Sequence, residues 1–283
     1  MAGFSEPFPS VMDRYAVIGH PVAHSLSPRI HARFAEQTGE SLSYEALLAP
    51  LDGFRECAER FFFREGARGA NVTLPFKVEA FALAHERTPR AEAAGAANFL
   101  AREGSLLRAD NTDGAGLVRD LGANLDARLE DARLLLLGAG GAARGVIAPL
   151  LAAGVARITI ANRTRERAEE LARRFGRDGR VQACGLQSPP ESRYDLVVNA
   201  TSTSTHREAL DVPDALFAPG VLAYDMAYGE GARAFVERAR ARGARACDGL
   251  GMLVEQAAES FQLWRGVRPE TAPVLAELRA ASA

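Results

Sequence analysis

The chain has 283 residues, of which 47% are hydrophobic and 25% are charged, which is enough to bury two modest cores. Its formal net charge of −2 argues against the basic surface that is typical of nucleic-acid-binding proteins. No apolar run approaches the length of a membrane span, the N-terminus does not resemble a secretion signal, and the cysteines are too scattered for a zinc site or a disulfide framework. We therefore expect a two-domain protein of the reducing cytoplasm.

Short apolar segments alternate with helical patterns through the first part of the chain. This alternation predicts a mainly parallel sheet with helices outside it. Pro28 suits the first turn of a helix, with Ser27 before it as a possible cap. The predicted strands cover residues 15–19, 43–49 and 67–72, and the predicted helices cover residues 28–39, 51–63 and 76–85.

A glycine-rich turn follows the apolar run from Leu134 to Leu137, which predicts a buried strand. Gly138 permits a tight turn, and Gly140 lets the backbone approach a pyrophosphate, which the free N–H groups of the following helix attract. A second apolar strand over residues 157–161 completes a β-α-β unit. The pattern predicts a dinucleotide site, although such a turn can also be merely a tight connection.

Arginines stand where the second strand of this unit ends. An acidic residue there would indicate NAD, because it holds the ribose 2′-hydroxyl. This chain has instead Asn162, Arg163, Thr164 and, one turn later, Arg167. Guanidinium groups suit a 2′-phosphate, since they offer charge and paired donors in a planar fork. The residues favour NADPH, unless these arginines are ordinary solvated side chains.

The later part of the chain continues the alternation of strands and helices. We predict a Rossmann-like dinucleotide-binding domain over residues 114–249. Residues 1–113 and 250–283 then form an α/β substrate-binding domain, with the C-terminal helices packing back on its first part. The further elements are helices over residues 165–175, 232–242, 249–266 and from 269 onward, and strands near Val181, Leu196 and Val221.

Four loops carry dense clusters of hydroxyl, amide and charged side chains. Binding groups tend to lie on such loops. Ser25 and Ser27 precede a helix, where hydroxyls can hold a carboxylate, and Gln256 follows a glycine-rich helix entry. Lys77 is the only lysine among 34 basic residues, and it lies in the first turn of a helix, where a cation is disfavoured. Asp113, in another polar loop, is a candidate partner for it.

Each cluster also has an ordinary structural interpretation. Ser27 can be merely a helix cap and Ser25 a turn residue, while Lys77 can be a solvated side chain. Asp113 can belong to a turn, and Gln256 can be a polar residue on a helix surface. The five histidines offer no metal-binding pair, so we predict no metal site.

In the order in which they occur along the sequence, these clusters resemble the motifs of the shikimate dehydrogenase family. The resemblance covers nearly the whole chain. The spacing between the motif at residues 71–77 and the motif at residues 110–114 is not a general feature of Rossmann folds. The motifs are Tyr15-Ala-Val-Ile-Gly19 with Ser25-Leu-Ser-Pro28, Asn71-Val-Thr-Leu-Pro-Phe-Lys77, Gly95-Ala-Ala-Asn98, Asp110-Asn-Thr-Asp-Gly114, Gly138-Ala-Gly-Gly-Ala-Ala-Arg144, Asn162-Arg-Thr164, Asn199-Ala-Thr-Ser202, Tyr224-Asp-Met-Ala-Tyr228 and Asp248-Gly-Leu-Gly-Met252.

The resemblance implies reversible reduction of 3-dehydroshikimate to shikimate with NADPH, in the route to aromatic amino acids. It implies that Lys77 and Asp113 form the catalytic pair. The residues that it implies for the substrate are Ser25, Ser27, Asn71, Thr73, Asn98, Tyr228 and Gln256. The residues that it implies for NADP are Gly138, Ala139, Gly140, Gly141, Ala142, Asn162, Arg163, Thr164, Arg167, Thr201, Met226 and Gly249.

The chain departs from the family pattern at three places. Ala97 and Phe99 flank Asn98 where valine and threonine are usual, and Ala32 replaces a common asparagine. Residues 203–206 stand where Gly-Met is usual. Because that loop approaches the cofactor in the family, we expect an altered affinity for NADPH.

Two alternative functions share this scaffold. One is a quinate/shikimate dehydrogenase paralogue that uses NAD, against which the arginines argue. The other is a catalytically silent nucleotide- or metabolite-binding protein, against which Lys77 and Asp113 argue. In each case we expect small-molecule ligands, neither nucleic acid nor a membrane as partner, and a monomer or homodimer.

Overall fold

The computed structural model describes residues 12–176, 178–191, 193–201, 203 and 210–282, and two six-stranded sheets form within them. Helices cover both sheets, so the predicted α/β class is confirmed. The strands of the first sheet are β1 (Asp13–Gly19), β2 (Leu42–Leu48), β3 (Gly69–Val72), β4 (Glu86–Arg87), β5 (Phe99–Glu103) and β6 (Leu106–Asp110). Those of the second are β7 (Arg133–Leu137), β8 (Arg157–Asn162), β9 (Val181–Gly185), β10 (Leu196–Asn199), β11 (Leu222–Asp225) and β12 (Arg245–Cys247).

The first sheet has the order β2-β1-β3-β5-β6-β4. β1 pairs in parallel with β2 and β3, and β4 pairs in parallel with β6. β5 runs antiparallel to both of its neighbours. The predicted mainly parallel sheet is therefore present, together with a β5–β6 hairpin that the sequence analysis does not predict. Gly104 permits the hairpin turn, because its φ of +65° is in the left-handed region that favours glycine.

The second sheet is parallel throughout and has the order β12-β11-β10-β7-β8-β9. Counted from the first strand of this sheet, this is the doubly wound order 3-2-1-4-5-6. Leu134, Leu135, Leu136 and Leu137 are fully buried on both faces of β7, as expected for a central strand covered by helices. The order reverses between β7 and β10, which is where such sheets bind dinucleotides. The Rossmann-like part of the fold prediction is thus confirmed.

The helices follow the predicted ones to within a few residues, and the sequence analysis does not predict α4 or α5. No helix within the described ranges is both long and apolar enough to cross a membrane. The helices are α1 (Ser27–Thr38), α2 (Phe54–Glu59), α3 (Lys77–Leu83), α4 (Pro89–Ala94), α5 (Asp113–Arg119), α6 (Gly141–Ala152), α7 (Arg165–Phe175), α8 (Glu230–Ala241), α9 (Leu250–Arg265) and α10 (Ala272–Ser282). Shorter turns are π-helical at Arg60–Arg64 and Asp120–Asn124 and 3₁₀ at Asp214–Phe217.

The alternative interpretation of Ser27 as a helix cap is wrong. Ser27 is the first residue of α1, and Leu26 occupies the N-cap position without a side-chain capping hydrogen bond. Instead the Ser25 hydroxyl accepts a hydrogen bond from the Ser27 backbone N–H at 3.3 Å. The Ser27 hydroxyl therefore does not cap the N-terminus of α1.

α5 joins the two halves of the molecule, because it lies against α9 on one side and α6 on the other. A Cβ added at Gly116 would lie 2.8 Å from Cβ and backbone N of Gln256 and 2.9 Å from the Met252 carbonyl oxygen. A Cβ added at Gly114 would overlap the Pro149 ring in α6. Glycine is unfavourable inside a helix, and here it permits a close approach that a larger residue would prevent. The predicted division of the domains, between residues 113 and 114, falls in the first turn of α5.

Substituting Gly116→Ala should destabilise the fold. The backbone of α9 cannot move aside for the added methyl group, so we expect the free energy of unfolding to fall by about 1–3 kcal/mol. Gly122→Ala is the matched control, because a Cβ at Gly122 has no atom within 4 Å. Urea unfolding of the two variants measures the difference. Equal stability would contradict the close approach of α5 and α9.

Candidate active site

The polar residues singled out in the sequence follow the ends of strands in both sheets. Lys77 begins α3, which follows β3, and Asp113 begins α5, which follows β6. The glycine turn follows β7, and Asn162 ends β8. Loops after the carboxyl ends of parallel strands share one edge of a sheet, where ligands of α/β proteins bind.

The Lys77 amine lies 2.7 Å from the Asp113 carboxylate oxygen Oδ2, so the expected pair is in contact. The Asp113 side chain is 2% exposed and that of Lys77 is 19% exposed. The other oxygen of Asp113 accepts a hydrogen bond from Asn98 Nδ2 at 2.9 Å. A buried carboxylate is thus held by a cation on one oxygen and by an amide on the other, and the cation keeps an exposed side.

Asn98 is the centre of a buried group of polar side chains. Its Oδ1 accepts from the Thr112 backbone N–H at 2.8 Å, and this donor sets the orientation of the amide. Its Nδ2 lies 2.9 Å from Thr112 Oγ1, from Asp113 Oδ1 and from Gln256 Oε1. Asn98, Asp113 and Gln256 therefore meet at one point, although Asn98 precedes β5, Asp113 begins α5 and Gln256 lies in α9. The sequence analysis does not single out Thr112 as a site residue.

Asn71 is held by two residues that the sequence analysis misses. Its Oδ1 accepts from the Tyr44 hydroxyl at 2.8 Å, and its Nδ2 donates to Ser260 Oγ at 2.9 Å and to the Asn98 backbone carbonyl at 3.2 Å. Ser260 lies one helical turn after Gln256 on α9. That spacing is the one signal in the sequence that places Ser260 beside a candidate site residue.

The serine loop and Tyr228 meet although they come from opposite halves of the molecule. Burial raises the pKa of Tyr228, and a hydrogen bond with the Leu26 backbone offsets part of that rise. Leu26 lies between Ser25 and Ser27, so Tyr228 contacts the predicted carboxylate-binding loop. Burial likewise raises the pKa of Tyr44, and a hydrogen bond with the Ser27 side chain offsets part of it.

Thr73 lies against the end of β1. A Cβ added at Gly19 would overlap the Thr73 methyl group, so this glycine permits the close approach of the two loops. Thr73 is half-buried and therefore reachable from the cleft. No hydrogen bond in the described part of the chain joins its side chain to Lys77 or Asp113.

The structure shows the contacts of residues at two of the three departures from the family pattern. Phe99 is fully buried and stacks on Trp264, with ring centroids 5.0 Å apart, and Ala97 lies in the core beside it. Thr203 Oγ1 lies 2.6 Å from Thr201 Oγ1, whereas residues 204–206 lie outside the described ranges. Ala32 is exposed, and nothing in the structure explains its substitution.

Arg90 and Asp110 form a bidentate ion pair that the sequence analysis also misses. Arg90 Nε lies 3.0 Å from Oδ1 and Nη2 lies 2.6 Å from Oδ2 of Asp110, which is buried. Oδ1 also accepts from Thr88 Oγ1 and from the Asn111 backbone N–H, each at 2.6 Å. Asp110 thus holds the backbone of Asn111, which is the first residue of the loop that leads to Asp113.

The glycine turn fits a dinucleotide pyrophosphate. Gly138 has φ of +106°, and a Cβ there would lie 3.0 Å from the Ala200 carbonyl oxygen, so only glycine suits the position. Cβ atoms added at Gly140 and Gly141 would have no atom within 4 Å, which leaves open space beside the turn. α6 begins at Gly141 without a capping side chain or an acidic residue in its first turn. Its N-terminal N–H groups, including those of Ala142 and Ala143, are therefore available to an anion.

Arg163 and Arg167 have exposed side chains at the end of β8, and neither makes a side-chain hydrogen bond or ion pair with a described residue. Arg165 is different, because its Nε lies 2.8 Å from Glu169. Asn162 Nδ2 donates to the Thr164 carbonyl oxygen at 2.8 Å and so shapes the loop between them. The two unpaired arginines fit a phosphate on the ribose.

Thr201, Met226 and Gly249 follow the strands on the other side of the reversal in strand order. The Thr201 hydroxyl donates to Asn199 Oδ1 at 2.7 Å, and Asn199 Nδ2 donates to Asp225 at 2.9 Å. Gly249 lies so close to the Met226 carbonyl that a Cβ there would overlap it. These loops follow parallel strands and therefore lie at the same edge of the sheet as the glycine turn.

Removing the Arg90 guanidinium should leave the buried Asp110 carboxylate unpaired. Burial alone would raise the pKa of Asp110, but the hydrogen bonds from Arg90 and Thr88 outweigh it and hold the pKa below its ordinary value of 3.8. A carboxyl whose pKa is lowered by folding contributes stability above its unfolded pKa and loses it as the pH falls through its folded pKa. Because Arg90 is about one-third exposed, we expect Arg90→Gln to lower the free energy of unfolding by about 2 kcal/mol at pH 7.

The difference from the unaltered protein should shrink as the pH falls below 3.8 and through the lowered folded pKa of Asp110, where its carboxylate becomes protonated. Urea unfolding at a series of pH values measures it. Arg55→Gln is the control, because Arg55 pairs with Glu59 on an exposed helix face and should contribute less than about 0.5 kcal/mol. A pH-independent loss in Arg90→Gln would argue against the ion pair as its cause.

Three family models match consecutive parts of the chain. The shikimate dehydrogenase substrate-binding domain matches residues 17–100, the shikimate/quinate 5-dehydrogenase model matches residues 120–212, and the shikimate 5′-dehydrogenase C-terminal domain matches residues 249–279. Shikimate dehydrogenase (NADP(+)) of Aromatoleum aromaticum is 58% identical over 272 residues, which cover 95% of this chain and 97% of that protein.

Solved structures agree with the sequence relatives. The Ael1 enzyme of Pseudomonas putida has a TM-score of 0.88 at 45% identity, covering 94% of this chain and 98% of its own. Shikimate 5-dehydrogenase of Thermus thermophilus, solved with NADP(H) and shikimate, has a TM-score of 0.83 at 36% identity, covering 95% of this chain and all of its own. Together with the paired Lys77 and Asp113 and the open glycine turn, these matches show that the chain belongs to the shikimate dehydrogenase family.

Proposed function

We propose that this chain is an NADP-dependent shikimate dehydrogenase, which interconverts 3-dehydroshikimate and shikimate in the biosynthesis of aromatic amino acids. The observation that carries the proposal is the 2.7 Å contact between Lys77 and Asp113, whose carboxylate also meets Asn98. A silent binding protein would not need a buried carboxylate paired with a partly exposed amine. The relatives named for this activity support the same reaction.

The reduction adds two electrons and one hydrogen to a ketone carbon and one proton to its oxygen. Bound NADPH supplies the hydride. Lys77 offers its ammonium at the partly exposed end of the pair, where it stabilises negative charge on the oxygen and provides the proton. Asp113 holds that ammonium in place and keeps the buried site electrically balanced. In the reverse direction the Lys77 amine takes up the proton from the substrate hydroxyl.

The substrate would lie between the Asn98 group and the serine loop. Asn98 and Asp113 place hydrogen-bonding groups at one point, and the Gln256 Oε1 atom lies beside them. Ser27 and Tyr228 lie at the other end, where hydroxyls suit the carboxylate of an acidic ring compound. A ligand with a carboxylate at one end and hydroxyl groups at the other matches this arrangement.

The arginines favour NADP over NAD. Arg163 and Arg167 have exposed guanidinium groups without partners in the described ranges, and no acidic residue stands at the end of β8 for a ribose 2′-hydroxyl. This argues against the NAD-dependent quinate/shikimate paralogue. Activity with quinate is the second property that separates that alternative from our proposal.

The domain limits, the location and the assembly belong to the proposal as well. We place the substrate-binding domain at residues 1–113 and 250–283 and the NADP-binding domain at residues 114–249. The first sheet together with α9 and α10 supports the former, and the doubly wound sheet supports the latter. Free thiols at Cys57, Cys184 and Cys247 suit the cytoplasm, and we expect a monomer or a homodimer.

Lys77→Ala should abolish most turnover and leave NADPH binding nearly unchanged. We expect kcat to fall by about 10²–10⁴-fold, because both the proton and the nearby positive charge are lost. Absorbance of the nicotinamide measures turnover, and fluorescence titration measures the Kd of NADPH. Lys77→Arg keeps a charge that does not readily give up its proton, so partial recovery would indicate electrostatic stabilisation. Near-normal turnover in Lys77→Ala would contradict the proposal.

Arg163→Ser should weaken NADPH binding and spare NADH. Losing a charged partner of the 2′-phosphate costs about 1.5–3 kcal/mol, or roughly 10- to 100-fold in kcat/KM for NADPH. Arg165→Ser is the matched control, because Arg165 is two residues away and already pairs with Glu169. Steady-state assays with both cofactors, and with shikimate and quinate, measure the change. A preference of the unaltered protein for NADH would refute the assignment of NADP.

A further inference from the structure

The hydroxyl of Ser260 lies fully buried between two groups of the candidate site. It donates to the Gln256 backbone carbonyl, one turn earlier in α9, at 3.0 Å. A hydroxyl has only one hydrogen, so toward its other neighbours Ser260 acts as an acceptor. Those neighbours are Asn71 Nδ2 at 2.9 Å and Thr112 Oγ1 at 3.3 Å. Ser260 thus accepts a hydrogen bond from Asn71 at the end of β3 and contacts the Thr112 hydroxyl in the loop before α5.

The Asn71 amide has a single possible orientation in this arrangement. Its Nδ2 faces the Asn98 backbone carbonyl at 3.2 Å, and a carbonyl oxygen can only accept. The two amide hydrogens are therefore used by Asn98 and Ser260, while Tyr44 donates to Oδ1 at 2.8 Å from the opposite side. Only one lone pair of Oδ1 remains. Asn71 can offer a ligand an acceptor and not a donor.

Thr112 lies between Ser260 and the catalytic pair. Its hydroxyl accepts from Asn98 Nδ2 at 2.9 Å, and two acceptors lie within reach of its hydrogen, Asn98 Oδ1 at 3.2 Å and Ser260 Oγ at 3.3 Å. Asn98 in turn contacts the Asp113 carboxylate. Ser260 therefore contacts Asn71 directly and is linked through Thr112 and Asn98 to the carboxylate that holds Lys77.

The opposite side of the Asn71 amide is rigid as well. The Tyr44 ring stacks on the His31 ring with centroids 4.0 Å apart and an angle of 7° between them. Burial lowers the pKa of His31 to about 3, so this imidazole is neutral and brings no charge beside the site. Tyr44 therefore has little freedom to move its hydroxyl away from Asn71.

We propose that Ser260 is a positioning residue for substrate recognition, which clamps the Asn71 amide against Tyr44 so that Asn71 accepts a hydrogen bond from a ring hydroxyl of the substrate. The proposal rests on the proposed function, since shikimate supplies the hydroxyl. Ser260 itself is buried and acts through Asn71 and Thr112. Its loss frees one amide hydrogen and leaves the orientation of Asn71 dependent on the Asn98 carbonyl and the Tyr44 hydroxyl.

The test is the affinity for shikimate in Ser260→Ala. We expect its Kd, measured by calorimetry without turnover, to rise about five- to tenfold, which corresponds to one lost hydrogen bond. The Kd of NADPH should stay unchanged. Thr159→Val is the matched control, because it removes a buried hydroxyl that accepts from Gln182 at 2.9 Å in the second sheet. It should lower stability to a similar degree without changing shikimate binding.

A double-mutant cycle separates positioning from a general structural role. In an Asn71→Ala background, Ser260→Ala should raise the Kd of shikimate by a smaller factor than in the unaltered protein. An equal factor in both backgrounds would overturn the proposal. If Ser260→Ala does not fold, Tyr44→Phe replaces it in the cycle, since it removes the opposing hydrogen bond and keeps the stacked ring.

The outcomes distinguish this inference from the proposed function. If the unaltered protein binds shikimate and Ser260→Ala binds it equally well, the positioning role is wrong and the function stands. If the unaltered protein does not bind shikimate, both are wrong. A raised Kd in Ser260→Ala and an unchanged Kd in Thr159→Val would support both.

Discussion

The buried carboxylate of Asp113 is the constraint on which the site depends. An ionised carboxylate that is shielded from water must be paired and hydrogen-bonded, since an unpaired buried charge costs several kcal/mol. Lys77 and Asn98 meet that need from two other elements, and the first turn of α5 favours a negative charge at its start. The pairing fixes the amine that we propose for the reaction, so stability and the proposed chemistry depend on the same contact.

α5 and the turn that follows it connect this ion pair to both halves of the molecule. At its far end Asp120 accepts from the Tyr224 hydroxyl of β11 at 2.6 Å, and burial raises the pKa of this carboxyl. Asn124 bridges Asp120 to Glu255 of α9, with distances of 2.9 Å and 3.2 Å. One short helix thus contacts Lys77 at one end and Tyr224 of the second sheet at the other. A shift of α5 would alter the cleft from both sides.

Local patterns in the sequence predict much of the fold and the central pair of the site. The apolar run before Gly138 and the strand that follows it are sufficient to predict a Rossmann-like unit, because both signals are local. The motifs around Lys77 and Asp113 predict the pair by resemblance, and the structure places the two in contact. α5 is harder to predict, because its glycines disfavour a helix until α6 and α9 pack against it.

Ser260, Tyr44 and Arg90 could not be predicted as site residues for a similar reason. A tyrosine in a strand and an arginine in an arginine-rich chain carry no local signal of a role, and the only signal for Ser260 is its spacing of one helical turn after Gln256. The importance of Ser260, Tyr44 and Arg90 arises from neighbours 189, 27 and 20 residues away along the chain, respectively, which only the folded structure brings into hydrogen-bonding distance. Polar networks of this kind depend on tertiary contacts and not on propensity.

Because the chain has a single lysine, Lys77 carries the only side-chain amine that can react with electrophilic metabolites. Amines attack the carbonyl carbon of aldehydes and activated acyl groups, whereas guanidinium groups are far less nucleophilic, and all the other basic side chains among the 34 are arginines. Any lysine acetylation or glycation of this chain therefore occurs at Lys77, which is only 19% exposed and bound to Asp113. With the role that we propose for Lys77, such a modification abolishes activity, and a ligand in the cleft protects the amine.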